Sequence, residues 1–150
     1  MKTIWNHLQG VAFQQCFYDA AGVRTRVIES GSSEKVLIFL HGTGGHAEAY
    51  LKNIASHSEH FRVMAVDMVG HGYTSAPDIS YDMQCYVEFL LDFLDGIGVE
   101  KAYISGESLG ATVAAWFAIA HPDRVEKIVM NTGMLLPPDE DGAMGLRELL

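Results

Sequence analysis

The residues best placed by type and spacing to do chemistry are Gly106-Glu107-Ser108-Leu109-Gly110. They follow the short apolar run Ala102-Tyr103-Ile104 and open the alanine-rich run Ala111 to Ala120. A strand, a sharp turn and a helix therefore put one serine at the apex, which is the pattern of a nucleophile elbow. Glycines on both sides let the strand and helix backbones come close and hold the serine in a strained conformation. The Ser108 hydroxyl then stands over the end of a sheet. The helix beyond it aims unpaired N–H groups, and the positive end of its dipole, at the same place. The chemistry this suits is attack on a carbonyl.

A second stretch, His41-Gly42-Thr43-Gly44-Gly45-His46, follows the unbroken apolar run Val36 to Leu40. That run marks a strand covered on both faces. The glycines let the backbone turn tightly and present N–H groups with no side chain in the way. Placed beside the elbow, the Thr43-Gly44 region supplies half of an oxyanion hole, and the N–H of Leu109 supplies the other half.

A serine hydroxyl also needs a base, and the base needs an orienting carboxylate. After Ser108 the one histidine is His121, roughly 20 Å along the helix from Ser108 at ~1.5 Å per residue. It is read as a residue at a helix C-terminus, interacting with the dipole. His41 is read as structural, His46 is not taken as the base, and His7, His57 and His60 are expected in solvent. Asp139, Glu140 and Asp141 are expected to be solvated in a proline-rich loop.

These residues need a scaffold, and the chain alternates accordingly. Phe13 to Tyr18 and Val23 to Glu29 form a hairpin about the turn Asp19-Ala20-Ala21-Gly22. A helix is expected over Ala47 to Ser58, a strand over Phe61 to Asp67 and a loop over Gly70 to Ser75. Tyr86, Phe89, Leu90, Phe93, Leu94 and Ile97 line one face of a helix over Tyr81 to Ile97. The elbow helix ends at His121-Pro122. Val125 to Met130 is expected as a strand buried on both sides, with no later strand to pair with it. Leu146 to Leu150 begins a helix. The fold class is α/β: a mostly parallel sheet, helices on both faces and an N-terminal hairpin. The loops that carry chemistry then gather at the carboxyl ends of the strands.

The 150 residues, 49% of them hydrophobic and 19% charged, suit one soluble globular unit. A net charge of −9 argues against nucleic acid and anionic membrane as partners. No apolar run has the length of a membrane span, and the first ten residues lack a secretory pattern. Cys16 and Cys85 are expected as free thiols, which by default means the cytoplasm. No metal cluster and no nucleotide loop is evident, so no cofactor is expected. The partner is a small-molecule substrate, and a homo-oligomer is left open.

His41-Gly42-x-Gly44, Asp67-x-x-Gly70-x-Gly72-x-x-Ser75, Gly106-x-Ser108-x-Gly110 and His121-Pro122-x-Arg124-Val125 fall in the order used by the α/β-hydrolases. The chain resembles that fold superfamily over about residues 13 to 135. Within it, residues 41–50 and 66–72 are similar to meta-cleavage product hydrolases, which split a carbon–carbon bond in dienoic keto-acids from aromatic ring cleavage. The resemblance implies that Ser108 is the nucleophile and that Leu109, Thr43 and Gly44 hold the oxyanion. Gly42, Thr43 and Glu107 would meet substrate, and Asp67 and His71 would shape a loop beside the site. Glu107 stands where that subfamily usually has asparagine, a departure that bears on substrate class. The acid and the histidine are then expected beyond residue 150. Residues 1–132 are expected as the front part of a hydrolase core and 133–150 as the start of a cap or lid. The remaining strands and most of the cap would lie outside this chain. A carboxylesterase is the second expectation. A binding protein or inactive fragment is the third, if these residues are the whole protein. Epoxide hydrolases and haloalkane dehalogenases of this fold use aspartate as the nucleophile, so Ser108 speaks against both.

Overall fold

A computed structural model describes residues 3–133. The expectations for Pro137 to Asp141, for a helix at Leu146 to Leu150, and for a cap beyond Gly133 lie outside the described residues.

The hairpin comes first, as β1 (Phe13–Ala20) and β2 (Val23–Ser30) paired antiparallel. Its turn is shorter than the four residues expected. Asp19 and Ala20 remain in the ladder, and Ala21 and Gly22 turn the chain with φ of 47° and 92°. Positive φ at both central residues matches the right-handed twist of the flanking strands.

Alternation along the next strands decides the architecture. In β3 (Val36–Leu40) all five residues are buried. Val36, Ile38 and Leu40 enter one core, while Leu37 and Phe39 enter another. In β4 (Arg62–Val66), Met64 and Val66 join the first core, and Val63 and Ala65 the second. Strands apolar on both faces need cover on both faces. A 3-10 turn at Ala47–Tyr50 and α1 (Leu51–His57) cover the second core; together they replace the single helix expected over this stretch. His57 is half-buried there, edge-on to Phe39 at 5.5 Å, not in open solvent as expected.

The first core is closed by α2 (Met83–Gly96), which buries Tyr86, Phe89, Leu90, Phe93 and Leu94 as its periodicity predicts. Its N-cap is Asp82, whose carboxylate accepts from Cys85 N at 2.9 Å. Then come β5 (Ala102–Glu107), α3 (Leu109–Ala120) and β6 (Val125–Asn131). The sheet order is β1-β2-β4-β3-β5-β6, with β4, β3, β5 and β6 mutually parallel and β2 antiparallel to β4.

One expectation is corrected at β6. The strand alternates between half-buried and exposed residues, and Val129 is 55% exposed. Its apolar run Ile128-Val129-Met130 suggests burial on both sides. Only the side carrying Ile128 packs on the core formed with α2 and α3; no described element covers the face of Val129.

Candidate active site

At the carboxyl end of β5 the chain reverses into α3 through Ser108, whose φ is 50° and ψ is −113°. A non-glycine residue here is strained. Close packing holds it in place. A methyl group at Gly106 would overlap the Gly110 carbonyl, and one at Gly110 would overlap the Leu40 carbonyl. Two backbone bonds fix the turn: Ser108 N–H donates to Asn131 O at 2.9 Å and Gly110 N–H to His41 O at 3.1 Å. β6 and β3 thus grip the two sides of the elbow.

Ser108 is also the N-cap of α3, where a serine ordinarily turns its hydroxyl back onto the helix N–H groups. Here it makes no such bond. Among the described residues its hydroxyl is left half-exposed and unpaired, and the N–H of Leu109 has no acceptor.

The glycine loop sits against this point. Gly45 N–H donates to Gly42 O at 2.9 Å, closing a tight turn with Gly44 at φ 71°. Positive φ at the third position of such a turn is a glycine conformation. Thr43 and Gly44 are exposed, and among the described residues their N–H groups are unpaired. A methyl group at Gly42 would lie 3.2 Å from Ser108 Cβ and overlap Glu107 Oε2. The loop expected to hold an oxyanion and the elbow are therefore in contact.

Two buried polar devices hold that loop. His41 is fully buried; its Nε2 accepts from Met68 N–H at 3.1 Å, so Nδ1 carries the proton and donates to Gly42 O at 2.8 Å. Burial pushes its pKa down, which keeps the ring neutral in this arrangement. Asp67, also fully buried, accepts from Ala47 N–H at 2.6 Å and Tyr73 N–H at 2.9 Å. It joins the end of the glycine loop to the loop of Gly70 to Ser75. His71 lies in that loop with its ring 5.0 Å from that of His41.

Arg26 completes the second device. It is 1% exposed, with Nη1 2.8 Å from Glu48 Oε2 and 3.3 Å from Asp67 Oδ2, and Nη2 2.8 Å from Gln15 Oε1. Burial works against its charge, but the hydrogen bonds and charges of Glu48 and Asp67 more than offset it, and its pKa is raised. The Arg26 hydrogen bond holds the Glu48 carboxyl down at about 2. Arg26 and Glu48 were not singled out from the sequence. The signal was present: alternation in β2 puts Arg26 on the same face as buried Ile28.

Glu107 is exposed. The Thr132 hydroxyl, already donating to Asn131 O at 2.7 Å, lies 3.5 Å from Glu107 Oε1. Burial first, and the Glu107 charge second, push the phenol of Tyr50 above its ordinary range. Tyr50 in turn donates to Leu40 O at 2.7 Å, so Glu107 overlooks the floor of the glycine loop.

None of the described histidines hydrogen-bonds Ser108. His46 is 52% exposed with Nδ1 2.6 Å from Glu48 Oε2, and His121 caps the far end of α3. Among the described residues no group of side chains suits a metal ion.

A mostly parallel sheet flanked by helices, with a strained serine between strand and helix, defines a hydrolase-type α/β protein. The chain belongs to the alpha/beta hydrolase fold family, whose model matches residues 35–147. It is 32% identical over 136 residues to the 2-hydroxy-6-oxo-6-(2'-aminophenyl)hexa-2,4-dienoic acid hydrolase of Metapseudomonas resinovorans, covering 87% of this chain and 47% of that protein. It is 34% identical over 109 residues to carboxylesterase YbfK of Bacillus subtilis, covering 71% and 37%. Among solved structures, a serine hydrolase involved in carbazole degradation (CarC enzyme) superposes with a TM-score of 0.77. That match is at 32% identity and covers 83% of this chain and 50% of the other. The chain spans half or less of the length of these relatives.

Proposed function

We propose that this chain is the front part of a serine hydrolase acting on a small carbonyl compound, with Ser108 as nucleophile. The observation that carries this reading is the backbone of Ser108 at φ 50°, with a hydroxyl that does not cap its helix and a Leu109 N–H beside it that has no acceptor among the described residues. As the carbonyl carbon is attacked, negative charge develops on its oxygen. The N–H groups of Leu109 and of Thr43 or Gly44 receive it, each such donor contributing about 3 kcal/mol. The base and its orienting carboxylate come from outside residues 3–133, and residues 133–150 begin a cap. Free Cys16 and Cys85 fit a reducing cytoplasm.

Two bonds fit this machinery. The first reading is the carbon–carbon bond of a dienoic keto-acid from aromatic ring cleavage, supported by the dienoic acid hydrolase relative. The second is a carboxylic ester, supported by the likeness to YbfK. The test uses the full-length gene product. A fluorophosphonate should label Ser108, and Ser108→Ala should lower turnover by ~10⁴-fold or more while sparing substrate binding. Label on another residue, or a Ser108→Ala protein of undiminished activity, refutes the proposal. Turnover of a nitrophenyl ester with none of the keto-acid removes the first reading.

A further inference from the structure

Among the described residues, the charges at the carboxyl end of the sheet do not balance. Residues 41–47, 67–75, 106–110 and 131–133 contain no lysine or arginine. Among the described residues Arg26 sets its guanidinium against one of these stretches, at Asp67, and it is enclosed by Glu48 and Asp67, so one positive charge there meets two negative ones. His46 turns its Nδ1 to Glu48, and the Nδ1 of His71 lies 3.0 Å from Val69 O. Glu107 forms no ion pair among the described residues, and the Thr132 hydroxyl, 3.5 Å from its Oε1, makes its shorter bond to Asn131 O at 2.7 Å. Its carboxylate is exposed, rests against Gly42 and is one residue from Ser108.

We infer that Glu107 is a specificity-determining residue: its carboxylate keeps the side of the site over Gly42 free of negative charge, so the fragment next to the reacting carbonyl is uncharged. This rests on the Ser108 hydrolase reading and narrows its substrate class. A developing oxyanion is received directly by N–H donors, which outweigh a more distant charge. A carboxylate carried on the acyl fragment has no such donors among the described residues, where it meets the Glu107 charge in a medium in which an exposed charge still acts over a few ångströms. Acyl groups of the glutaryl type are thereby disfavoured against neutral ones of the same length. A dienoic keto-acid satisfies the rule with its acid group at the far end of its diene, away from Gly42.

The test compares kcat/KM of the full-length protein for 4-nitrophenyl pentanoate and 4-nitrophenyl hydrogen glutarate, with spontaneous hydrolysis subtracted. The quantity read is the acidic-to-neutral ratio. Glu107→Gln should raise that ratio about fivefold at low ionic strength, and the rise should shrink at about 0.5 M salt. Glu107→Asn should do the same, and serves if the first variant does not fold. Glu126→Gln, exposed at the opposite end of the sheet, removes the same net charge and should leave the ratio unchanged. A ratio within twofold of wild type in both Glu107 variants, or an equal rise in Glu126→Gln, overturns the inference while the hydrolase reading stands. Wild-type protein that turns over neither ester and leaves Ser108 unlabelled overturns both.

Discussion

Ser108 and His41 show how single side chains are fixed by what surrounds them. Ser108 is freed from helix capping by its own backbone, and His41 is held in one tautomer by one donor, the Met68 N–H. Burial of that ring sets a pH dependence. The His41 pKa is lowered from 6.5 by burial, so the unfolded chain binds the proton more readily than the folded one. Stability from this ring is complete above about pH 6.5 and declines as pH falls below it. Glu48 adds a second loss further down. Its pKa falls from 4.5 to about 2, so its contribution of roughly 3 kcal/mol is present above pH 4.5 and fades toward pH 2. Thermal melts from pH 7 to 2.5 should show both declines. Glu48→Gln should flatten the lower one and leave the upper; an unchanged profile below pH 4.5 would remove Glu48 from this account.

At the scale of elements, close approach of backbones governs the elbow. Gly110 lets α3 rest on the end of β3, where any Cβ would strike the Leu40 carbonyl. Gly110→Ala must push the helix outward, breaking the Gly110 N–H bond to His41 O and moving the Leu109 N–H from its place. We expect a loss of about 3 kcal/mol or more, read as a lowered melting temperature or as loss of soluble protein. Normal stability in Gly110→Ala would mean that the helix has room the structure does not give it.

The whole molecule joins these elements into a sheet whose chemistry-bearing loops meet at one end, the placement common to open α/β sheets. The same scale shows what the described part lacks, since none of its histidines reaches Ser108. A polypeptide of residues 1–150 is therefore expected to bind an ester without steady turnover, measured by nitrophenolate release. Hydrolysis at the rate of the full-length protein would place the base within residues 1–150.

Local pattern determined much of this protein in the sequence itself. Glycines spaced around Ser108, unbroken apolar runs in β3 and β5, and 3.6-residue periodicity in α2 each reflect interactions within a few residues, so elbow, strands and helix are legible without coordinates. The glycine loop and its neighbour Ser108 were also placed together, because both follow buried strands of one sheet. Tertiary structure alone decided the rest. Arg26 became the buried counterion of Glu48 and Asp67, partners 22 and 41 residues away, because the sheet order sets β2 beside β4. β6, apolar by composition, is half-exposed because its place is at the rim of the described sheet. Pairing between distant segments fixes such facts, and no short stretch of residues carries the energy that selects them.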